Sequence, residues 1–342
     1  MRRGRTALLA LACAALAAAA GCGERANNDQ AQTEKGSPAS RVDPNETYYW
    51  ISQLSTLPLF VDNDHKGLKR AADELGVKYK IQGPTKIDLT QFIATINQVC
   101  AQNPAGVMVV GWDPALNEAV NTCLQQGVPT VTDDADLPGS DRLAFVGTDW
   151  YEIGVAQAEA MIEATGATGD VATISIINAD NMKAARRGFE DTLQQKAPDM
   201  RIVAEEDDGG DRSKAAAKVA DLLSAHPDLA GIAGFDAESG PGAVRALTEA
   251  DKLNKVKLTA MEAEPEFFKS IEDGSVSAII VQKRELFTYY AMKLLFDYNH
   301  SGLSVLGVEK ETSAPVPVNV NTGLFVVDKS NVGEVLAATS KK

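Results

Sequence analysis

The 342-residue chain is poor in positive charge, in histidine and in cysteine. It carries 33 lysines and arginines against 47 aspartates and glutamates, a net charge of -14, with three histidines and four cysteines. Nucleic acid and anionic lipid attract basic surfaces, so this deficit excludes them as partners. None of His65, His226 and His300 lies in a nucleophile-elbow motif, and no cysteine has a histidine nearby at metal-ligand spacing. We therefore expect no metal site and no catalytic residue.

The glycine-rich loops that bind nucleotides are also absent. The sequence contains no G-x-x-x-x-G-K-[ST] motif, and the first strand-to-helix turn, residues 53–58, has no glycine. Asp62–Gly67 begins like a calcium loop, but Lys66 stands at position 5, and position 12, which needs glutamate, is Asp73. We interpret this stretch as the solvated first turn of a helix and expect no cofactor.

The N-terminal apolar run, Ala7–Ala20, is too short to cross a membrane. Its 14 residues fall short of the roughly 20 that a spanning helix needs. Three arginines precede the run and Gly21-Cys22 follows it, which is the arrangement of a secretory signal peptide. The ending AAGC resembles a bacterial lipobox, in which the cysteine after the cut receives a lipid. We predict a signal peptide over residues 1–21 and a lipid anchor on Cys22, with plain cleavage after Ala-x-Ala as the alternative.

Residues 22–46 are polar and contain too few apolar side chains to form a core, so they predict a flexible tether. Loss of the signal peptide removes three arginines, which takes the net charge from -14 to about -17. The mature protein is therefore expected to be an acidic, extracytoplasmic protein anchored to the cell membrane.

After residue 46, short apolar runs alternate with helical patterns. Gly106–Val110 is typical of a buried strand, and Leu89–Gln102 has the 3.6-residue period of an amphipathic helix. The alternation restarts after Thr148, and each of the two blocks is long enough for its own parallel sheet covered by helices. The sequence therefore predicts an α/β fold of two doubly wound, Rossmann-like lobes.

Aromatic and acidic residues follow the predicted strands, where ligands bind in open α/β sheets. An aromatic face beside carboxylate acceptors suits a polyol, whose hydroxyls donate hydrogen bonds. The alternative is that the acids cap helices or form turns and that the two phenylalanines belong to the core. The residues concerned are Phe60, Trp112, Asp113, Asp134 and Asp136 in the first block and Lys183, Phe235, Asp236 and Glu262 in the second.

A series of short motifs resembles the bacterial periplasmic substrate-binding proteins of the ribose-binding type (type I). The motifs, in chain order, are Leu57-Pro58-Leu59-Phe60, Gly127–Asp134, Val146–Asp149, Arg187-Gly188-Phe189, Ala225–Asp228 and Gln282 after a strand. The resemblance covers nearly all of residues 47–335. It implies two lobes joined by a three-stranded hinge that close on a ligand.

The resemblance also implies ligand contacts for Phe60, Asp134, Lys183, Glu262 and Gln282, and we add Asp149 and Trp150 to the predicted site. Three departures argue against ribose and for another polyol. Ala135 replaces a ligand arginine, Phe235 stands where an asparagine precedes Asp236, and Trp150 replaces an asparagine.

The predicted hinge divides the chain at crossings near Thr148, Gln282 and Ser313. One lobe would comprise residues 47–147 plus 283–312, and the other 148–282 plus 313–342. The isolated helix Leu286–Tyr298 falls in the first of these.

We predict a monomeric solute-binding protein, not an enzyme, that delivers a sugar or polyol to the permease of an ABC importer. One alternative is a sensor that presents its ligand to a chemoreceptor or histidine kinase. The other is a secreted α/β enzyme assembled from distant residues.

Cys100 and Cys123 remain once Cys13 has left with the signal peptide and Cys22 is the anchor. In a sheet whose second, first and third strands are adjacent, the helices that carry these cysteines share one face. An exported protein meets an oxidising environment, so we predict a disulfide, with two buried free thiols as the alternative.

Overall fold

The computed structural model describes residues 43–261, 265–310 and 312–339. The predicted signal peptide, the anchor Cys22 and most of the tether lie outside the described residues, as does Glu262. Within the described part, no helix is both long enough and apolar enough to span a membrane.

The first half of the described chain contains five strands and three α-helices. A single π-helical turn, Phe60–Asp64, leads into α1, and a short 3-10 turn leads into α3. The elements are β1 (Thr47–Ile51), α1 (His65–Leu75), β2 (Lys78–Gln82), α2 (Leu89–Cys100), β3 (Gly106–Val110), α3 (Asn117–Gln125), β4 (Thr130–Asp133) and β5 (Phe145–Gly147).

The second half continues the alternation and then adds two short strands. A 3-10 turn, Pro265–Phe268, precedes α8. The elements are α4 (Trp150–Thr165), β6 (Gly169–Ser175), α5 (Asp180–Lys196), β7 (Met200–Asp207), α6 (Arg212–Ala225), β8 (Gly231–Gly234), α7 (Ser239–Glu249), β9 (Lys257–Met261), α8 (Lys269–Glu272), β10 (Ala278–Gln282), α9 (Glu285–His300), β11 (Asn319–Asn321), β12 (Leu324–Asp328) and α10 (Val332–Thr339).

These strands form two six-stranded sheets, one in each lobe. The first has the order β11-β5-β4-β3-β1-β2, and the second has the order β12-β10-β9-β8-β6-β7. All pairs are parallel except β10 with β12. The central strands, such as β3, are buried on both faces, which explains their unbroken apolar sequence.

Helices cover both faces of each sheet. On the first sheet, α2 and α3 pack on one face around Phe92, Ile96 and Val120, and α1 and α9 pack on the other around Trp50 and Leu68. The second sheet has two corresponding clusters. The predicted fold class, two doubly wound α/β lobes, is confirmed.

The helices α4 and α5 of the second lobe approach each other through glycine. A methyl group on Gly188 would lie 2.1 Å from the carbonyl oxygen of Tyr151, and one on Gly154 would lie 1.8 Å from that of Ala185. The backbones of α4 and α5 are thus in contact at these positions. A side chain larger than that of glycine would not fit between them.

The chain passes between the two sheets at three places in the described residues. These are between β5 and α4, between β10 and α9, and between β11 and β12. The third passage lies after Asn321, not near Ser313, because β11 pairs with β5 and so extends the first sheet. Residues 319–321 therefore belong to the first sheet. How the lobes divide as moving units stays a prediction.

Cys100 and Cys123 lie at the C-terminal ends of α2 and α3, on the same face of the first sheet. Their Cα atoms are 5.3 Å apart and their sulfur atoms are joined in a disulfide. Both residues are buried, and the bridge fastens these two helices to each other.

Candidate functional site

A cavity of about 120 Å³ lies between the two lobes, at the carboxyl ends of the strands. It is smaller than the roughly 300–1,000 Å³ of drug-sized ligand pockets, so it suits one small molecule. Four aromatic residues and five polar ones provide most of its chemistry. They are Phe60, Trp112, Trp150, Phe235, Asp134, Asn181, Asp236, Gln282 and Arg284.

A buried arginine between two carboxylates forms one wall of the cavity. Arg284 lies two residues after β10, and its Nε donates to Asp64 Oδ2 at 2.8 Å. Its NH2 group donates to Asp134 Oδ2 at 2.8 Å and to Asp64 Oδ1 at 3.1 Å, and its NH1 group donates to Asp134 Oδ1 at 3.1 Å. Burial raises the pKa of Asp64 to about 6, although the Arg284 guanidinium opposes the shift. At neutral pH this cluster holds two negative charges and one positive charge.

Three of the four aromatic residues are fixed by contacts with their own lobes. Phe60 is buried, and the Arg284 guanidinium lies 5.0 Å from its ring centroid, so one face of this ring is already covered. Trp112 meets Phe60 edge-on and donates from Nε1 to Ser52 Oγ at 3.2 Å. In the second lobe, Phe235 packs edge-on against Phe189.

Asp236 follows β8, and only its Oδ1 accepts from N–H groups of the described chain. Oδ1 accepts from the backbone N–H groups of Glu238 and Ser239, both at 2.9 Å. Behind it, Asp208 accepts from the Ser239 hydroxyl at 2.6 Å. Burial raises the pKa of Asp236, and the neighbouring Asp208 raises it further, both by its charge and by a hydrogen bond that the two carboxyl groups make when Asp236 is protonated.

Three buried polar atoms of the cavity lining have no hydrogen-bond partner in the described structure. They are Asn181 Oδ1, Asp236 Oδ2 and Gln282 Nε2, and each residue is at least nine-tenths buried. Leaving a buried polar atom unpaired costs about 1–3 kcal/mol, so three of them in one cavity indicate groups that a ligand completes. Two are acceptors and one is a donor, which a molecule bearing several hydroxyls can satisfy at once.

No cluster of three or more metal-ligating side chains occurs among the described residues.

Comparison with known proteins places the chain in a family. The profile of the periplasmic binding protein domain matches residues 49–301. The chain belongs to the periplasmic binding protein family. This match spans both lobes up to the end of α9, and the cavity lies between those lobes, at the strand ends.

Individual members of the family resemble the chain over most of its length. The D-allose-binding periplasmic protein of Escherichia coli (strain K12) is 26% identical over 261 residues, which are 73% of this chain and 84% of that protein. The crystal structure of a sugar ABC transporter's sugar-binding protein from Bacillus halodurans matches with a TM-score of 0.78 and 28% identity, covering 85% of this chain and 100% of that one. A solute-binding protein from Burkholderia graminis C4D1M, in complex with D-arabinose, matches with a TM-score of 0.77 and 25% identity, covering 85% and 98%.

As a periplasmic binding protein, the chain brings seven of the predicted ligand-binding residues to one cavity. They are Phe60, Trp112, Asp134, Trp150, Phe235, Asp236 and Gln282. Their ligand contacts remain a prediction.

Four other predicted site residues do not line this cavity. Asp113 accepts from the Ala115 N–H, and Asp149 accepts from the Tyr151 N–H, so both cap the starts of helical turns. Asp136 pairs with Arg142. Lys183 is half exposed and pairs with Asp180 at 2.7 Å. Glu262 lies outside the described residues.

Arg284 and Asp64 were not predicted from the sequence, and Asn181 was not singled out within the strand-end stretch 178–183. Asp64 was expected to be solvated, but it is fully buried because α9 packs over this turn and Arg284 reaches it. Asn181 is in the first turn of α5, which begins at Asp180. Arg284 stands only two positions after the predicted Gln282, so the strand-end rule, extended by two residues, would have found it.

Proposed function

We propose that this periplasmic binding protein captures a single sugar of monosaccharide size between its two lobes and presents it to an ABC importer. The observation that carries the proposal is the set of three unpartnered buried atoms, Asn181 Oδ1, Asp236 Oδ2 and Gln282 Nε2, in one cavity. Sugar hydroxyls are donors and acceptors, so neighbouring hydroxyls can satisfy both kinds of atom.

The aromatic side chains complete the match to a sugar. Trp112 from the first lobe and Trp150 from the second both line the cavity. The C–H faces of a sugar ring pack against indole surfaces while its rim hydrogen-bonds. The small volume of the cavity favours one ring over a chain of several.

Capture by closure follows from the distribution of the polar groups. Asp134 follows the first lobe's β4, whereas Asn181 and Asp236 belong to the second lobe. A ligand that touches both lobes can make all of its contacts only when the two lobes are closed around it. It therefore shifts the population toward the closed form by its differential affinity for that form.

The relatives support a sugar as the ligand and transport as the role. Their names and titles describe a D-allose-binding protein, a sugar-binding protein of an ABC transporter and a complex with D-arabinose. No chemical step is needed, and the carboxylates serve as hydrogen-bond acceptors.

The remaining parts of the proposal concern location. An extracytoplasmic monomer, anchored by a lipid on Cys22 through the tether of residues 22–46, would hold the lobes near a membrane permease. As moving units we propose residues 47–147 with α9 and β11 in one lobe and the remaining elements in the other, in agreement with the two sheets.

A thermal-shift screen of the purified protein against pentoses, hexoses, alditols and amino acids tests the proposal. A binding sugar raises the unfolding midpoint by mass action. For the best ligand, Asn181→Ala should weaken binding by up to about tenfold, the effect of one neutral hydrogen bond. Lys183→Ala, on the same helix but outside the cavity, is the matched control and should leave affinity unchanged. A screen in which amino acids bind and no saccharide does would contradict the proposal.

A further inference from the structure

The cavity and the shell behind it hold more negative charge than positive charge. Asp64 and Asp134 share the single guanidinium of Arg284, which leaves an excess of one negative charge. Asp208 and Asp236 add two more carboxyl groups, and no cation of the described chain contacts either of them. Arg284 is the one cation among the described residues that line this cavity.

Other basic residues of the neighbourhood are paired with acidic side chains. Lys183 pairs with Asp180 on the solvent side, Arg212 pairs with Glu238, and Arg186 pairs with Glu205. Ala135, which follows Asp134, is buried and uncharged. Glu238 lines the cavity beside Asp236, so the charge of Arg212 on this side is already balanced by a carboxylate. An anionic ligand would still meet the carboxyl groups of Asp236 and Asp208 there.

The unpaired atoms on this side accept hydrogen bonds. Once Asp236 is ionised, its Oδ2 accepts from N–H or O–H donors, as Asn181 Oδ1 does, whereas Gln282 Nε2 needs an acceptor. A primary ammonium provides donors and the missing positive charge, and a sugar hydroxyl provides the acceptor. A quaternary ammonium has no N–H to donate, so it fits the charge but not the hydrogen bonds.

The indole of Trp150 lines the same cavity, and its ring is fixed by a hydrogen bond from Nε1. Aromatic faces attract cations, most strongly when water is excluded. The charge of the cavity, its unpaired acceptors and its aromatic surface thus all favour a primary ammonium group.

On the basis of the proposed function, we infer that the cleft selects a monosaccharide carrying a protonated amino group over its neutral parent, with the ammonium placed against Asp236 and Asn181. The ligand would supply the cation that the cavity lacks. A hydroxyl oxygen of this sugar would accept a hydrogen bond from Gln282 Nε2.

A proton balance follows from this placement. The groups around Asp236 are Asp208, the Ser239 hydroxyl and the Glu238 backbone N–H. The cavity lining adds Asp134, Arg284 and the Glu238 carboxylate, which pairs with Arg212. Because burial and Asp208 raise the pKa of Asp236, this carboxyl keeps its proton more readily than an exposed one. An ammonium bound beside it stabilises the carboxylate, so a proton leaves Asp236 for the solvent as the cation enters.

Matched sugar pairs test the inference. Isothermal titration would compare D-glucosamine with D-glucose, D-galactosamine with D-galactose, and D-mannosamine with D-mannose, at pH 7. We expect at least one amine to bind roughly tenfold to a hundredfold more tightly than its parent, the range for a hydrogen bond to a charged group. If every parent binds as tightly as its amine, the inference fails and the proposed sugar-binding function stands. If none of the six binds, the inference fails, and the wider thermal-shift screen decides the proposed function separately.

Proton release provides a second readout that needs no variant. Titrations in buffers of different ionisation enthalpy should show protons released on binding the amine and none on binding the neutral parent. Asp236→Asn should bring the amine-to-parent ratio close to one, whereas Lys183→Ala should keep it. A preference for the amine without proton release, or one that survives Asp236→Asn in a folded protein, would overturn the assigned role of Asp236.

Discussion

The indole N–H of Trp150 donates to the backbone carbonyl oxygen of Asp134 at 2.8 Å, and this bond joins the two lobes across the cavity. Trp150 begins α4 and packs in the core of the second lobe, whereas Asp134 follows β4 of the first. The bond can form only when the lobes are close together, so it belongs to the closed arrangement.

Trp150→Phe should weaken ligand binding by roughly threefold to tenfold, because it removes a hydrogen bond worth about 0.5–1.5 kcal/mol from the closed form. Small-angle X-ray scattering of the ligand-free variant should show a larger radius of gyration than the wild type. An unchanged affinity and an unchanged radius would mean that this bond does not hold the lobes together. Tyr151→Phe, one residue further on and exposed, is the matched control.

Arg284→Met should destabilise the protein by about 3–5 kcal/mol, since it leaves the buried carboxylates of Asp64 and Asp134 without their counter-charge. Urea unfolding of the variant measures the loss. Adding Asp64→Asn to Arg284→Met should recover part of it, because one of the two orphaned charges is then removed. A double variant no more stable than the single one would contradict this account.

Stability should fall as the pH rises from mildly acidic to slightly alkaline. Burial raises the pKa of Asp64 to about 6 and also raises the pKa values of Asp133 and Asp236 above the ordinary carboxyl range. A group whose pKa is raised by folding contributes stability that is present below its unfolded pKa and is lost as the pH passes its folded pKa. Each such carboxyl lowers the unfolding free energy by up to about 1.4 kcal/mol per pH unit within that window.

Thermal midpoints measured between pH 5 and pH 8 test this dependence. The midpoint should decrease over this range, and Asp236→Asn should make the decrease shallower. A midpoint that stays constant or rises with pH over the same range would contradict the raised pKa values of these carboxyls.

Gly188→Ala should destabilise the second lobe by about 1–3 kcal/mol, because the added methyl group meets the Tyr151 carbonyl oxygen, which belongs to the backbone and cannot rotate away. Gly333→Ala in α10 is the control, since nothing lies within 4 Å of the added group there. The control should be neutral or slightly stabilising, because alanine favours helix over glycine. Equal effects of the two variants would argue against the close contact of α4 and α5.

Reduction of the bond between Cys100 and Cys123 should cost roughly 3 kcal/mol of stability, the loop-closure effect for about two dozen residues. Intact-mass measurement after alkylation, without and then with reductant, checks the bond directly. Modification of both thiols without reductant would show that the cysteines are free.

Helices and strands with a strong hydrophobic period were predictable from the sequence. Strands too short to show a period were not. The helix α2 and the strand β3 appear where their patterns indicated. In contrast, β5 and β11 have three residues each, too few to show a period. As a result the third passage between the lobes was placed too early, near Ser313.

The site was predictable as far as sheet topology determines it. Asp134, Asp236 and Gln282 reach the cavity because the carboxyl ends of parallel strands meet at one edge. Asp113 and Asp149 follow strands equally closely, but backbone N–H groups at helix starts take up their carboxylates. The pairing of Asp64 with Arg284 joins residues 220 positions apart, which no local pattern reveals.

The three passages between the sheets are also short. Two residues join β5 to α4, two join β10 to α9, and two join β11 to β12. Two residues span at most about 7 Å, so the lobes cannot slide far apart or twist independently. The main motion left to them is a rotation about an axis that runs through the three passages. Gln282 stands at one passage and lines the cavity. The axis of such a rotation would therefore run beside the ligand, so that a small displacement at the sugar becomes a large one at the outer rims of the lobes.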